Sequence, residues 1–111
     1  MILTDLAILK AIKEGDILVE PFDRNCLGTN SYDVHLSKYL ACYIDDVIDA
    51  KKHNQVEHFE IADDGIVLQP GKTYLGSTLE YTETRSFVPF LEGKSSVGRL
   101  GIDTVSYTHL R

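Results

Sequence analysis

The chain has few cysteines, few cations and no long apolar run. Cys26 and Cys42, its two cysteines, stand 16 positions apart, and this spacing predicts free thiols in a reducing compartment. Eleven lysines and arginines against 17 aspartates and glutamates argue against a protein that binds nucleic acid or an anionic membrane. No apolar segment approaches the roughly 18 residues of a membrane span, and Asp5 stands where a signal peptide would be basic. We therefore expect a cytoplasmic protein.

The amino-terminal residues have the pattern of one helix followed by a short strand. Apolar residues recur at helical spacing between Thr4, a suitable N-cap, and Gly15, a suitable helix end. A strand is predicted over 17–20, and Pro21, the next residue, ends it.

The remainder of the chain is predicted to be β. The polar segment 45–54 is interpreted as a loop, and short strands at this spacing are typical of an antiparallel barrel or jelly roll. At 111 residues the chain is one small domain or part of one. The further strands are predicted over residues 32–36, 39–44, 57–61, 66–68 and 73–79.

Residues 92–101, EGKSSVGRLG, concentrate groups that suit an anion. Lys94 supplies a point charge and Arg99, one helical turn later, a planar donor fork. Ser95 or Ser96 is predicted to cap a short helix, whose first N–H groups then point free at a bound anion. Phosphate is the natural ligand of such a segment.

A capped surface helix with solvated cations explains the same composition, since short Gly/Ser/Lys motifs have little specificity. The segment is not a Walker A loop, because no glycine stands five residues before Gly93. In a chain with a net charge of −6 a phosphate site must be built from local cations, and Arg85 is a further candidate. The histidines, His35 among them, are interpreted as structural or solvated.

Four segments, in the same order, resemble the dCTP deaminase family, a branch of the trimeric dUTPase-like superfamily. EGKSSVGRLGI resembles the family signature. The other three are MILTDLAILKAIKEGDILVEPFD, TNSYDVHL and LQPGKTYLGSTLEYT. The likeness runs from Met1 to about Thr104.

The resemblance implies a mainly β fold: a distorted dUTPase-like β-barrel or jelly roll, with one N-terminal helix and a short helix after the phosphate-binding motif. It implies a single incomplete domain over 1–104, whose C-terminal strands are missing. Residues 105–111, VSYTHLR, depart from the family pattern and are interpreted as a non-native or truncated tail. His109, in this tail, is given no functional role.

The implied activity is hydrolytic deamination of dCTP to dUTP and ammonia. No zinc is expected, because the H-x-E and P-C-x-x-C signature of zinc deaminases is absent. By position, Ser95 and Arg99 match the family's catalytic serine and arginine, and Lys94 and Ser96 match its triphosphate binders. The implied nucleotide-binding set is Lys94, Ser95, Ser96, Val97, Gly98 and Arg99. The family's general-base glutamate has no counterpart in this chain, which is therefore expected to be inactive as it stands.

Two alternatives remain open from the sequence. One is a bifunctional dCTP deaminase and dUTP diphosphatase that gives dUMP, and the other is a non-catalytic nucleotide-binding fragment. The resemblance further implies Mg²⁺ bound with the nucleotide triphosphate, dCTP and dUTP as ligands, dTTP as an inhibitor, and a homotrimer when the protein is full length.

Overall fold

A computed structural model describes residues 1–105 and begins with the predicted helix α1 (Asp5–Glu14). Its N-cap is Thr4, whose hydroxyl accepts a hydrogen bond from Ala7 N at 3.4 Å. Gly15 ends the helix in the left-handed region at φ 83°, which glycine adopts at little cost. The prediction of an amino-terminal helix between these two caps is confirmed.

The described chain is mainly β, as predicted. A 3₁₀ turn follows β1, and a second helix, α2, follows the last strand. The strands and short helices are β1 (Ile17–Glu20), the 3₁₀ turn (Arg24–Cys26), β2 (Leu36–Tyr43), β3 (Val56–Glu60), β4 (Leu75–Thr78), β5 (Tyr81–Thr84) and α2 (Ser95–Gly98).

The strands form two antiparallel sheets. One pairs β1 with β5, and the other has the order β3-β2-β4 with β2 in the centre. Leu40 of β2 lies opposite Phe59 of β3 and Gly76 of β4. A Cβ atom at Gly76 would lie 3.0 Å from a methyl of Leu36 and 3.2 Å from one of Leu40, so a larger residue there would require these leucine side chains to shift.

The predicted closed barrel or jelly roll is not found within residues 1–105. A barrel requires every strand edge to be paired, whereas β3 and β4 are edge strands and the β1–β5 pair forms a sheet of its own. The predicted strand over 66–68 is wrong, since these residues are irregular. The predicted strands over 32–36 and 39–44 are also wrong in their bounds, because β2 runs without a break from Leu36 to Tyr43.

The core is small and the apolar surface is large. Among residues 1–105, five apolar residues are buried, which are Ile8, Ala11, Leu40, Ala41 and Cys42. The accessible surface of the chain is 9585 Å², against about 6,200 Å² for a compact monomer of this mass. Strand β2 supplies most of the core because it has a neighbour on each side.

Three further predictions can be compared with the described residues. Both cysteines are free thiols, with Cys42 buried and Cys26 half-buried. Segment 45–54 contains no helix or strand, as predicted for a loop. No helix of residues 1–105 is long and apolar enough to cross a membrane. The predicted tail falls largely on residues 106–111, including His109, which lie outside the described residues.

Candidate functional site

Helix α2 lies inside the predicted anion-binding segment and not after it. Its N-cap is Lys94, whose carbonyl accepts hydrogen bonds from Val97 N at 3.0 Å and Gly98 N at 2.9 Å. Neither Ser95 nor Ser96 caps the helix, so that prediction is wrong. The reason is geometric: both serines already lie within the helical turn, and the extended N-cap position falls to Lys94.

The two serines are exposed and available to a ligand. The backbone N–H groups of Ser95 and Ser96 donate to no other residue of the described chain. Two N–H groups and two hydroxyls with no hydrogen-bond partner among residues 1–105 thus stand in adjacent exposed residues. Such a cluster of donors suits a phosphate group.

Arg99 follows directly and closes the turn, with its N–H donating to Ser95 O at 3.0 Å. Its side chain is exposed. Arg85 belongs to a different part of the fold, because its N–H donates to Asp16 O at 2.9 Å and its Nε lies 4.0 Å from Glu83 Oε1. The cations of the candidate site are therefore Lys94 and Arg99.

Lys94 is held by a residue from another segment. Its Nζ lies 2.7 Å from Asp33 Oδ2, which is 61 positions away along the chain. The hydrogen bond and the negative charge of Asp33 raise the pKa of Lys94, so the amine remains protonated at neutral pH. Both side chains are more than half exposed, and such a pair contributes little to stability.

The backbone that carries Asp33 is fixed by a tight loop. Asp33 N donates to Cys26 O at 2.8 Å, and Leu27 forms a β-bridge with Tyr32. The phenol oxygen of Tyr32 accepts a hydrogen bond from Asp23 N at 2.9 Å. Asp33 therefore projects from a backbone that is held on its amino-terminal side.

A buried carboxylate, that of Glu80, holds the backbone on the carboxyl-terminal side of Asp33. Both oxygens of Glu80 accept from His35 N, at 2.9 and 3.0 Å, and His35 Nδ1 lies 2.6 Å from Glu80 Oε1. The side chain of Glu80 is 2% exposed. Burial alone would raise the pKa of Glu80, but the hydrogen bonds from His35 outweigh it, and the pKa lies below its ordinary value.

Thr104, which follows α2, lies close to Gly93 at the start of the anion-binding segment. A Cβ atom at Gly93 would lie 3.3 Å from Thr104 Cβ and 3.5 Å from its hydroxyl. This contact is tight, so a larger side chain at position 93 would require Thr104 to move by a few tenths of an ångström. The segment is therefore bounded by Asp33 on one side and by Thr104 on the other.

Comparison with known proteins identifies the family. A family model described as dCTP deaminase-like matches residues 2–110. The chain belongs to the dCTP deaminase-like family. This confirms the resemblance drawn from the four sequence segments.

Relatives of the family carry a more specific name, "dCTP deaminase, dUMP-forming". The protein of that name from Clostridium acetobutylicum is 49% identical over 96 residues, which are 84% of this chain and 56% of the relative. Those from Leptospira biflexa and Cytophaga hutchinsonii are 47% and 44% identical over 102 residues, which are 92% of this chain and 58% of each relative. The chain spans about half the length of the curated relatives it matches.

The six residues predicted to bind nucleotide lie together in one exposed segment, and their individual roles remain predictions. The structure adds Asp33, His35 and Glu80, to which the sequence assigned no role at the site. Their signal was present in two of the resembling segments, TNSYDVHL and LQPGKTYLGSTLEYT. The contacts between those segments could not be derived from either one alone. Within residues 1–105, no group of three or more His, Cys, Asp or Glu side chains could hold a metal ion.

Proposed function

We propose that this chain is the nucleotide-binding, amino-terminal part of a bifunctional dCTP deaminase that forms dUMP. The observation that carries the proposal is the sequence identity of 44–49% to relatives named dCTP deaminase, dUMP-forming. That name favours the bifunctional alternative over a deaminase that releases dUTP. We call the complete reading frame that contains these residues the full-length protein.

The triphosphate is proposed to bind the segment around α2. Lys94 and Ser96 contact the phosphates, and the free N–H groups of Ser95 and Ser96 add neutral donors. A charge-assisted contact to phosphate is about twice as strong as a neutral one. Val97 and Gly98 complete the nucleotide-binding stretch. The exposure of this segment supports the proposal, since the side chains of residues 92–101 are all exposed and only Lys94 is engaged by another described side chain, that of Asp33.

The proposed reaction has two hydrolytic steps. Water adds to C4 of the cytosine, the amino group leaves as ammonia, and dUTP results. A second water then attacks the α-phosphorus, which gives dUMP and pyrophosphate. Ser95 and Arg99 are proposed to orient water and stabilise developing charge, while a glutamate outside this chain serves as the general base.

Mg²⁺ and dTTP are proposed as further ligands of the full-length protein. Mg²⁺ commonly binds through substrate phosphates and keeps several waters, so it would enter with the triphosphate. The phosphate oxygens and waters would hold the ion, whereas Lys94 and Ser96 would bind the phosphates and not the metal. No zinc is part of the proposed reaction, and dTTP would act as an inhibitor at the same segment.

The alternative of a non-catalytic fragment applies to the 111-residue polypeptide when it is expressed alone. It retains Ser95 and Arg99 but lacks the family's general-base glutamate. General acid–base help contributes about 10²–10⁴-fold to a rate. We therefore propose that the isolated polypeptide does not deaminate dCTP at a measurable rate.

The test is a product assay on purified proteins with dCTP and Mg²⁺. The full-length protein is expected to release ammonia, dUMP and pyrophosphate in equal amounts, and the isolated 111-residue chain is expected to release none. In the full-length protein, Arg99→Ala should abolish the activity, and Arg99→Lys should also be impaired, because a point charge does not replace a donor fork.

Arg85→Ala serves as the matched control, since it removes an arginine that lies away from the segment. It is expected to leave the activity unchanged. Accumulation of dUTP without dUMP would contradict the bifunctional proposal. It would favour a deaminase that releases dUTP. Full activity in Arg99→Ala would contradict the catalytic role of this residue.

A further inference from the structure

The ion pair between Lys94 and Asp33 raises a question about anion binding. A carboxylate 2.7 Å from the amine partly neutralises the charge that would attract a phosphate. Electrostatics alone would favour a site without Asp33, the more so in a chain with a net charge of −6. The ion pair between Lys94 and Asp33 therefore either weakens phosphate binding or favours it by holding the amine in position.

The geometry favours the second possibility. A lysine side chain has four rotatable bonds and loses much rotamer entropy when it is fixed. A carboxylate that holds Nζ in place before the ligand arrives removes part of that cost from the binding step. A lysine ammonium has three N–H donors, so one can remain on Asp33 while the other two meet a phosphate oxygen.

Asp33 can do this because its own backbone is fixed on both sides. On one side Asp33 N donates to Cys26 O at 2.8 Å. On the other, His35 N donates to the buried carboxylate of Glu80, and His35 O accepts from Leu79 N at 2.8 Å. An exposed aspartate on a mobile loop could not place a lysine, whereas one on this backbone can.

We propose that Asp33 is a positioning residue, which holds Lys94 Nζ at the place where the triphosphate of the nucleotide binds. The proposal rests on the proposed function, because it takes Lys94 as a triphosphate ligand. Asp33 acts through Lys94 and makes no contact with the reacting base.

The test is the affinity of the full-length protein for dCTP, measured by calorimetric titration. Asp33→Ala is expected to weaken binding about three- to tenfold, although it removes a negative charge next to the site. Asp33→Asn keeps an acceptor oxygen without the charge and should lie between the wild type and Asp33→Ala. It also provides a variant of nearly unchanged shape.

Glu92→Ala is the matched control. Glu92 is an exposed carboxylate two residues before Lys94 and forms no ion pair with any of residues 1–105. The substitution changes the net charge by the same amount as Asp33→Ala. Unchanged or tighter binding in Glu92→Ala is expected, because only the general electrostatic effect then remains.

A double-mutant cycle separates positioning from other roles. In a Lys94→Ala background, Asp33→Ala should no longer weaken the affinity, because only the general electrostatic effect then remains. Weaker binding from Asp33→Ala that persists in that background would overturn the proposal, as would tighter binding from Asp33→Ala alone. If Lys94→Ala itself leaves the affinity unchanged, the triphosphate role of Lys94 fails, and the positioning role fails with it. A loss in Lys94→Ala with none in Asp33→Ala overturns positioning only.

Discussion

Burying the ionised side chain of Glu80 costs free energy, and hydrogen bonds from a single residue, His35, offset that cost. A buried charge is tolerated when it is hydrogen-bonded, and Glu80 accepts from both the backbone and the ring of His35. Its carbonyl oxygen also accepts from the hydroxyl of Thr78 at 2.8 Å. These contacts tie the start of β2 to the β4–β5 connection.

Glu80→Gln is expected to lower the free energy of unfolding at pH 7 by about 1–3 kcal/mol, because charged hydrogen bonds in a buried site are lost. The pKa of Glu80 is lowered in the folded state from an ordinary value of 4.5. Its contribution is therefore complete above that value and is lost as the pH falls through the lower folded pKa. Urea unfolding of the full-length protein at pH 7 and near pH 3 measures the difference between wild type and variant, which should shrink in acid.

Glu57→Gln is the control for this measurement, since Glu57 is an exposed glutamate on β3. Its effect should stay within about 0.5 kcal/mol at both pH values. An equal effect of Glu80→Gln at both pH values would contradict a role for the ionised carboxylate.

At the scale of elements, strand β4 approaches β2 closely at Gly76, a residue without a side chain. The methyl groups of Leu36 and Leu40 occupy the space that a Cβ atom at Gly76 would need. Gly76→Ala should therefore force a shift at the centre of the three-stranded sheet. The expected loss is about 1–3 kcal/mol in the free energy of unfolding, measured by urea denaturation.

Gly98→Ala is the matched control, because a Cβ atom there would meet nothing within 4 Å. Gly98 has helical backbone geometry, where alanine is favoured over glycine. This variant should be neutral or slightly stabilising. A neutral Gly76→Ala would show that the leucines can repack at no cost.

The elements differ in how far the sequence could predict them. Helix α1 was predictable because its caps at Thr4 and Gly15 and its apolar spacing are all local signals. The start of β2 was not, because alternation around Tyr32 resembles a strand, whereas the contacts of Tyr32 with Asp23 and Leu27 turn the chain instead. Segment 92–101 was predicted to bind an anion from its residue types, and that role stays a prediction. Its contact with Asp33 is non-local, and neither segment alone contains it.

At the scale of the whole molecule, many large apolar side chains are exposed. Val67, Val88, Phe90 and Leu100 are each at least 74% exposed. Exposed apolar surface and unpaired strand edges favour association. Both features are consistent with a protein whose core is completed by further chain or by other subunits.

Sedimentation velocity is the corresponding measurement. The full-length protein is expected to sediment as a homotrimer, and the isolated 111-residue chain is expected to form larger, heterogeneous species. Phe90→Ser should reduce the association of the isolated chain by removing one exposed ring. A stable monomer of the full-length protein would contradict the proposed trimer, and a monodisperse isolated chain would contradict the proposed association.

The contact between Asp33 and Lys94 also has a consequence for the order of folding. It closes a loop of about 60 residues, and the entropy lost in closure grows with the logarithm of loop length. Long-range contacts of this kind form late, after local turns and neighbouring strands. In refolding, helix α1 should therefore regain its circular dichroism before nucleotide affinity returns. The residues of segment 92–101 are adjacent from the start, but the proposed place of Lys94 Nζ is set only when the ends of this loop meet.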